Sequence, residues 1–312
     1  MSKKKFHNVL VVLGGTSGER SVSLESGRAC IKALKKKGYN VSSFDPKFKR
    51  LNLINKRTTD VIFNALHGKD GEDGIAQTYF EYLKIPYTHS GVISSYNAMN
   101  KIISKEIFIK YKINTPKFFA MRKTEFNTLQ LKKNIMYKKI KFPIVVKPTN
   151  EGSSLGVKIC KNNNYLLKET RKLLKRYDQL IFEEYIGGQE IQVAVINSNP
   201  IGAIELVPKR LFYDYKAKYT KKAKTEHIMP ARLNKNKYKE VLKIAKKTHQ
   251  VLGCKGVTRT DFKFFKNKFN ILEINTQPGM TNLSLVPEIA KYKNVSFENL
   301  VEKILLDASI NR

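Results

Sequence analysis

Short apolar runs alternate with segments of helical periodicity in the first third of the chain, and this alternation restricts the fold more than any other feature. An apolar run at residues 8–14 ends in Gly14-Gly15 and is followed by helical spacing over 21–37, before Gly38. Further predicted elements of this region are strands at 39–44 and 60–66 and a helix at 75–83. Because parallel strands need a crossover connection, repeated β-α units of this kind predict a parallel sheet with helices packed against it.

The pattern restarts after Pro86, and the 312 residues exceed one typical domain of roughly 100–200 residues. We predict three α/β units, at residues 1–95, 96–187 and 188–312, with a polar loop at 208–225 in the last. The predicted helices of the second and third units span 94–111, 124–138, 163–176 and 237–252. Their predicted strands span 117–121, 143–147, 179–184, 192–197, 201–207, 257–265 and 268–275.

The net charge of +33 comes from 59 Lys and Arg against 26 Asp and Glu. Of the basic residues 48 are Lys, and they occur in almost every segment. Proteins that read nucleic acids concentrate their charge on one face and favour Arg for bidentate contacts. The distribution therefore favours a compositional bias over specific nucleic-acid binding, although a field this positive attracts anionic substrates.

Neither the apolar runs nor the cysteines indicate a membrane or secreted protein. The longest apolar runs, at 9–13 and 144–146, are far shorter than the roughly 18–20 residues of a membrane-spanning helix. Cys30, Cys160 and Cys254 are odd in number and widely spaced, which supports neither a disulfide framework nor a CxxC site. We therefore expect a cytoplasmic protein without a membrane segment.

Three oxygen-bearing side chains near the C-terminus are the strongest chemical signal. Residues 262–274 are typical of a hairpin with a turn centred on Asn267, which places Asp261 opposite Glu273 and Asn275 on the same face. Two facing carboxylates are unfavourable unless a cation lies between them, and oxygen ligands suit Mg²⁺ or Mn²⁺. The alternative is a surface hairpin whose acids are neutralised by neighbouring lysines. A one-residue slip in the turn would remove the argument.

Two further loops are rich in Gly and Ser. The loop at 148–156 follows the strand that carries Lys147, and its backbone N–H groups suit a phosphate, although it lacks a GxxxxGK[ST] sequence. The turn at 14–19 lacks GxGxxG spacing and indicates at most a small anion at a helix start. Plain connections explain both loops as well. His67 lies at a strand end, the edge where open parallel sheets bind ligands, but a lone histidine there is more often structural.

Aromatic and basic side chains alternate at residues 212–219, and three further lysines follow by residue 224. Proteins that bind single-stranded nucleic acid use such a mixture. Active-site lids use it too, because a lysine can contact a phosphate while a tyrosine closes over the substrate. The segment alone does not separate these functions from a solvated loop.

Five motifs occur in the order GGTSGERSVS at 14–23, ALHGKDGEDG at 65–74, KPTNEGSS at 147–154, FYDYKAKY at 212–219 and EINTQPGMT at 273–281. Together they resemble the D-alanine–D-alanine ligase family of the ATP-grasp superfamily, from about residue 8 to about residue 306. The resemblance implies an α/β fold of three domains. The first would hold a parallel sheet, and ATP would bind between the central and C-terminal domains.

The resemblance also implies roles for individual residues. Phosphate contacts fall to Lys101, Lys147 and Lys218, the adenine pocket to Glu183, Glu184 and Ile186, and the ribose to Glu190. Asp261, Glu273 and Asn275 would hold two Mg²⁺ or Mn²⁺, and Glu19, Ser153 and Tyr219 would join around the first D-alanine. His67 and Gly279 would bind substrate, Ser284 and Leu285 would form the pocket of the second D-alanine, and Arg259 would hold an oxyanion with a backbone N–H near Gly279.

Three positions depart from the family's pattern. Gln277 replaces a common Ser, Tyr185 replaces a Trp near the adenine, and Asn100 replaces an Asp before the helix lysine. Because Gln277 borders the Pro-Gly turn, we expect it to affect the second subsite most.

The activity that the resemblance implies is the ATP-dependent joining of two D-alanines through an acyl phosphate. The product, D-alanyl-D-alanine, would supply peptidoglycan precursors, and the family is commonly a homodimer. Three alternatives stay open: a ligase that makes D-alanyl-D-lactate, an ATP-grasp enzyme with another substrate, and a nucleic-acid-binding protein.

Overall fold

A parallel sheet forms the N-terminal part of the computed structural model, which describes residues 5–208, 225–281 and 283–312. Its strands are β1 (Asn8–Val12), β2 (Asn40–Phe44) and β3 (Val61–Asn64), in the order β2-β1-β3. Helices α1 (Arg20–Lys36) and α2 (Ile75–Leu83) connect and follow these strands. Both pairings are parallel, which confirms the prediction from the β-α alternation.

The central part of the chain forms an antiparallel sheet of order β4-β7-β5-β6. Its elements are β4 (Phe118–Arg122), α5 (Thr128–Tyr137), β5 (Ile144–Pro148), β6 (Lys158–Cys160), α6 (Asn163–Leu173) and β7 (Gln179–Glu184). The apolar face of this sheet has its own buried cluster, in which the rings of Phe119 and Phe182 stack 4.9 Å apart. The central sheet therefore has an apolar core of its own.

The C-terminal part forms an antiparallel sheet of order β10-β9-β8-β11-β12. Its elements are β8 (Gln189–Ile196), β9 (Asn199–Val207), β10 (Glu226–Ile228), α7 (Lys235–Val251), β11 (Val257–Phe265) and β12 (Lys268–Asn275), followed by α8 (Leu285–Tyr292) and α9 (Phe297–Leu306). Of these, β10, α8 and α9 were absent from the sequence prediction. The predicted units at 1–95, 96–187 and 188–312 each contain one of the three sheets, and their boundaries stay a prediction.

One long helix predicted at 94–111 is wrong, because the chain forms α3 (Val92–Met99) and α4 (Lys101–Lys110) instead. Asn100 between them has extended backbone angles, φ −80° and ψ 104°. Its side-chain oxygen accepts hydrogen bonds from the backbone N–H groups of Ile102 and Ile103, at 3.0 and 3.2 Å. This N-cap starts a new helix and makes Lys101 its first residue. The amide at position 100 therefore performs the capping that the family's Asp could also provide.

In the hairpin of β11 and β12, Asp261 pairs with Glu273 as predicted, but the turn that produces this pairing differs from the predicted one. Its turn contains two residues, Lys266 and Asn267, both with positive φ (46° and 61°), instead of three residues centred on Asn267. A bulge between Asp261 and Phe262 then shifts the pairing by one residue, so that Asp261 still pairs with Glu273. The shorter turn and the bulge compensate each other.

A shared apolar cluster joins the first and third sheets. It contains Val11 and Phe63 of the N-terminal sheet together with Leu206 of β9 and Ile304 of α9. Helix α9 also lies against α1, and Lys36 Nζ is 2.8 Å from the carboxylate of Glu298. The N-terminal sheet is thus fixed to the C-terminal part, which brings the ends of β1 and β3 to the C-terminal hairpin. In the described ranges, no helix is long and apolar enough to span a bilayer.

Candidate active site

Two adjoining hollows lie where the three sheets meet. The sheet cleft lies between the central and C-terminal sheets. The junction cavity lies between the N-terminal sheet, the 151–156 loop and the C-terminal hairpin. Lys101, Glu151 and Glu273 line both hollows. A molecule in one hollow can therefore meet a molecule in the other beside these three residues.

Two buried lysines lie beside one buried carboxylate of the sheet cleft. Lys147 Nζ lies 2.9 Å from Glu183 Oε2, and Lys105 Nζ lies 3.2 Å from Glu183 Oε1. Burial opposes ionisation of Glu183, but the charges of Lys105 and Lys147 hold the pKa of its carboxyl below its ordinary value. Lys101 donates a 2.5 Å hydrogen bond to the Glu151 carbonyl oxygen, and its Nζ is 3.5 Å from Glu273. The predicted phosphate-binding lysines of the described chain thus lie together.

The rim of the sheet cleft is formed by the end of β7 and the start of β8. Glu184, Tyr185 and Ile186 line it directly after Glu183, and their assignment to an adenine stays a prediction. Glu190 also lines the cleft and pairs with Lys263 at 3.0 Å. Apolar lining is supplied by Val145, Leu155, Val157 and Leu272. A flat heterocycle with a polar sugar and anionic groups fits a cleft that combines apolar lining with buried lysines.

Glu19 and Ser153 meet in the junction cavity although 134 residues separate them. The Ser153 hydroxyl donates a short hydrogen bond to the Glu19 carboxylate, which joins the N-terminal part to the central loop. Ser153 and Ser154 have positive φ, 47° and 60°, a conformation that packing must hold in place. A Cβ at Gly152 would lie 2.8 Å from Glu19 Oε2, so glycine leaves room for the carboxylate in this position. Two members of the predicted trio are therefore in contact, and Tyr219 lies outside the described residues.

Two titratable side chains of the junction cavity, His67 and Glu72, have shifted pKa values. Burial lowers the pKa of His67, and the neighbouring Glu19 carboxylate opposes that shift. His67 Nδ1 lies 3.1 Å from the Ala65 carbonyl oxygen, whereas Nε2 is buried with no hydrogen-bond partner among the described residues. Burial raises the pKa of the Glu72 carboxyl well above its ordinary value, and Glu19 adds to this shift. Burial thus opposes a charge on both side chains, and each can form a hydrogen bond with a polar substrate.

The hairpin carboxylates lie at the boundary of the two hollows. Asp261 lines the sheet cleft, Asn275 the junction cavity and Glu273 both. Arg259 donates to both oxygens of Asp261, at 2.8 and 3.0 Å, and the Asn275 side-chain oxygen accepts from the backbone N–H of Gln277 at 2.8 Å. In the part of the chain that the structure describes, no cluster of three His, Cys, Asp or Glu side chains suits a metal ion. A metal at this point would take two carboxylates and the amide, a hard-oxygen set that fits Mg²⁺ or Mn²⁺.

Some predicted residues lie beside the hollows instead of lining them. The Ser284 hydroxyl accepts from the backbone N–H of Thr281 at 2.9 Å, and Leu285 is buried in the shared apolar cluster. A Cβ at Gly279, which does line the junction cavity, would lie 2.9 Å from Ser284 Oγ. Lys218 falls outside the described residues.

Gln277 does not line the junction cavity but holds its wall. Its side-chain oxygen accepts from Asn64 at 2.8 Å, and its side-chain nitrogen donates a short hydrogen bond to the Leu66 carbonyl oxygen. Only 1% of Gln277 is exposed. This residue therefore ties the turn at 276–279 to the end of β3.

Sequence reasoning missed three charged residues of the site. Lys263 lies two residues beyond Asp261 on β11, so the same alternation that selected Asp261 could have found it. Lys105 lies one helical turn after Lys101, a spacing that marks the same helix face. Glu72 belongs to the motif at 65–74, but no role was predicted for it. No local sequence signal could have shown that the Glu72 side chain is buried in the junction cavity.

Comparison with known proteins identifies the same family that the sequence motifs resemble. Residues 107–306 match the family model described as D-ala D-ala ligase C-terminus. The chain is 54% identical to the D-alanine–D-alanine ligase of Pelagibacter ubique (strain HTCC1062), over the whole length of both. It is 44% identical to the ligase of Wolbachia pipientis wMel, covering 96% of this chain and 94% of the relative.

Solved structures of the same family superpose on nearly the whole chain. The D-alanine–D-alanine ligase of Bacillus anthracis matches with a TM-score of 0.85 and 32% identity, covering 96% of this chain and 97% of that one. The structure of that enzyme complexed with ATP matches with a TM-score of 0.84 and 31% identity, covering 97% of each chain. Identity over the full length, the matched family model and the shared fold agree with the paired hollows, and the chain belongs to the D-alanine–D-alanine ligase family.

Proposed function

We propose that this protein uses ATP to join two molecules of D-alanine into D-alanyl-D-alanine, the dipeptide of peptidoglycan precursors. The observation that carries the proposal is the contact between the two hollows at Lys101 and Glu273. A phosphoryl donor in the sheet cleft and a carboxylate acceptor in the junction cavity would meet there. Membership of the ligase family supports this assignment of the two hollows.

ATP would bind in the sheet cleft with its adenine at the rim. Glu183, Glu184 and Ile186 would surround the adenine, and Glu190 would contact the ribose. Lys101, Lys147 and the undescribed Lys218 would contact the phosphates. Lys101 and Lys147 are suited to this because both are buried in the lining of the cleft, where ionic attraction is strong.

Asp261, Glu273 and Asn275 would hold two Mg²⁺ or Mn²⁺ ions beside the phosphates. When bound, the ions would neutralise charge on the phosphoryl group during transfer. The protein's own contribution is to fix the three ligands on adjacent strands and to supply Arg259 and Lys101, whose charges already stabilise the two carboxylates.

The first chemical step would activate a carboxylate that is otherwise a poor acylating agent. A carboxylate oxygen of the first D-alanine attacks the γ-phosphorus of ATP, the bond from that phosphorus to ADP breaks, and D-alanyl phosphate forms. Glu19 and Ser153 would orient this substrate through their hydrogen-bonded pair. Because acyl phosphates hydrolyse readily, we assign the loop at 208–225, with Tyr219, to a lid that excludes water.

The second step would form the peptide bond. The amine of the second D-alanine, after losing a proton, attacks the acyl carbon, and the carbon–oxygen bond to phosphate breaks. Arg259 and the backbone N–H near Gly279 would stabilise the oxyanion of the tetrahedral intermediate. His67 would contact substrate, and Ser284 with Leu285 would shape the pocket of the acceptor. Phosphate leaves last.

The proposal extends to the organisation of the enzyme. We propose a homodimer in the cytoplasm, with domains at 1–95, 96–187 and 188–312. Size-exclusion chromatography with light scattering would measure the oligomeric state.

The activity is tested by identifying the product. Purified protein is incubated with ATP, Mg²⁺, D-alanine and D-lactate in equal amounts at pH 8, and the products are identified by mass spectrometry. We expect ADP, phosphate and D-alanyl-D-alanine, with phosphate release dependent on ATP, Mg²⁺ and D-alanine together and unaffected by added DNA. A product that is mainly D-alanyl-D-lactate would overturn the substrate assignment, and phosphate release that requires nucleic acid would overturn the enzyme class.

A further inference from the structure

Lys105 is a fully buried lysine behind the wall of the sheet cleft. Its relative exposure is 0%, and it is not among the residues that line the cleft. Its Nζ donates a 2.6 Å hydrogen bond to the Thr115 hydroxyl, which in turn donates to the Ile271 carbonyl oxygen at 2.9 Å. The same Nζ lies 3.2 Å from Glu183. Four residues away on α4, Lys101 reaches both hollows, so one helix supplies a cation to the cleft and another behind it.

The group formed by Glu183, Lys105 and Lys147 contains two positive charges and one negative charge. Glu183 carries one negative charge, whereas Lys105 lies 3.2 Å from one of its oxygens and Lys147 lies 2.9 Å from the other. Burial lowers the pKa of Lys105 to about 8, and Lys147 adds to that shift while Glu183 opposes it. Only Lys147 of this pair lines the sheet cleft. One lysine therefore can turn toward a ligand, and the other cannot.

Removing the only partner of a buried charge is strongly unfavourable, because the remaining ion is left without compensation in a low-dielectric interior. If Lys147 were the sole partner of Glu183, its movement toward a phosphate would leave Glu183 in that state. Lys105 removes this obstacle because its contact with Glu183 does not depend on the cleft.

We propose that Lys105 is a positioning residue, the permanent counter-ion of Glu183 that releases Lys147 to contact the nucleotide phosphates. This inference rests on the proposed function, since it uses Lys147 as a phosphate ligand. Lys105 would thus contribute to the affinity for the triphosphate of ATP without touching the nucleotide.

A purely structural role for Lys105 has different consequences. Through Thr115 the lysine also links α4 to the C-terminal hairpin, and loss of that link would weaken the binding of every ligand of the cleft alike. The proposed role affects only the gain in affinity that the phosphates provide. The ratio of the dissociation constants of adenosine and ATP measures that gain.

The test measures this ratio by calorimetry, with Mg²⁺ present, in the full-length protein. Lys105→Met removes the charge and keeps an unbranched side chain. We expect its adenosine-to-ATP ratio to fall about 10- to 100-fold, with little change in the adenosine dissociation constant itself. Lys237→Met is the matched control, because Lys237 is a largely buried lysine paired with Glu240 at 2.7 Å and lies outside both hollows. Its ratio should equal that of the wild type.

Neutralising the carboxylate provides a second, independent readout. In Lys105→Met/Glu183→Gln the carboxylate charge that would hold Lys147 is gone, so Lys147 is released and the ratio should return to that of Glu183→Gln alone. A structural defect would not be rescued in this way. This comparison also remains valid if Lys105→Met alone fails to fold.

The outcomes separate the inference from the proposed function. A wild type that binds ATP and makes dipeptide, with a Lys105→Met ratio unchanged, would overturn the role of Lys105 and leave the ligase activity intact. A further fall in the ratio from Glu183→Gln to the double variant would overturn it as well. A wild type that binds no adenine nucleotide would overturn both.

Discussion

Glu273 joins the two hollows through a single side chain. It pairs with Asp261 across the hairpin, lies 3.5 Å from Lys101 and is 28% exposed, so its carboxylate is available to a ligand on either side. Replacing one carboxylate oxygen by an amide nitrogen removes a negative charge without changing the shape of the side chain. Glu273 is thus the residue at which the metal-binding and phosphoryl-transfer hypotheses are most directly tested.

We predict that Glu273→Gln abolishes turnover while the fold is retained, because the loss of one charged ligand weakens a divalent cation site greatly. Dipeptide formation at saturating Mg²⁺ and circular dichroism would be measured together. Glu240→Gln is the control, since Glu240 lies outside both hollows. Activity above about a tenth of the wild-type value in Glu273→Gln would contradict the metal assignment.

Gln277 acts at the residue scale in another way, by holding a wall of the junction cavity. We predict that Gln277→Ser lowers the free energy of unfolding by about 1–3 kcal/mol, because the shorter side chain leaves the Leu66 carbonyl oxygen and one Asn64 contact without their partner. Urea denaturation would measure the loss, with the exposed Gln130→Ser as the control. Equal stability of Gln277→Ser and wild type would show that water or a shift of the chain replaces these contacts.

The β11–β12 hairpin connects the element scale to the site, because its register fixes which side chains face the hollows. The two-residue turn with positive φ at Lys266 and Asn267 corresponds to a type I′ turn, for which Asn-Gly is the favoured sequence. Lysine is unfavourable in this conformation since its Cβ crowds the backbone.

We predict that Lys266→Asn/Asn267→Gly raises the free energy of unfolding by about 1 kcal/mol with unchanged activity. Lys266→Val should lower stability, because a β-branched side chain at positive φ is strained. The pair would be compared by thermal denaturation. If both variants changed stability in the same direction, the backbone conformation of the turn would not be the cause.

The hairpin also shows what the sequence could and could not predict about this site. The pairing of Asp261 with Glu273 was predicted from a three-residue turn, but the structure reaches it through a shorter turn and a bulge. A bulge depends on packing against the neighbouring strand, which alternation along one strand does not contain. The α3–α4 break was missed because apolar periodicity continues through Asn100, although its capping tendency was readable.

Residues recognised by motif were easier to predict than residues defined by burial. Lys147 and Glu183 were assigned from the resemblance, and the structure places them 2.9 Å apart. Lys105 carries no motif of its own, and its importance appears only when α4 buries it against Glu183. Long-range contacts such as Ser153 to Glu19 follow from the packing of three sheets and could not be derived from spacing alone.

At the scale of the whole molecule, two buried histidines outside the site make the free energy of unfolding depend on pH. His89 lies against Phe63 of the N-terminal sheet, with ring centroids 5.7 Å apart, and beside the backbone of Gly256 from the C-terminal part. His249 of α7 contacts the Thr258 hydroxyl on β11 at 2.9 Å. Both side chains are at least 98% buried, so a proton on either ring would have to be accommodated away from water.

We predict that the protein loses stability as the pH falls from about 6.5 toward 4. Burial lowers the pKa of His249 to about 4, with Asp307 opposing and Lys255 adding to the shift. Burial also lowers the pKa of His89 to about 3, and the charge of Arg312 adds to it. The unfolded chain, in which histidine has a pKa near 6.5, therefore binds protons in this range that the folded protein does not bind. Each histidine then contributes a slope of up to about 1.4 kcal/mol per pH unit, and its contribution is fully retained above pH 7.

The slope is measured from urea denaturation at pH 7.5, 6.5, 5.5 and 5.0, a range in which exposed carboxylates remain largely ionised. His249→Gln should flatten the curve by about one proton, whatever its effect on stability at pH 7.5, because only the difference in proton uptake enters the slope. His7→Gln is the control, since His7 is exposed on the surface. Parallel curves for wild type and His249→Gln would mean that the folded protein takes up a proton at His249 as readily as the unfolded chain. The helix α7 would then open toward water at low pH before the rest of the molecule unfolds.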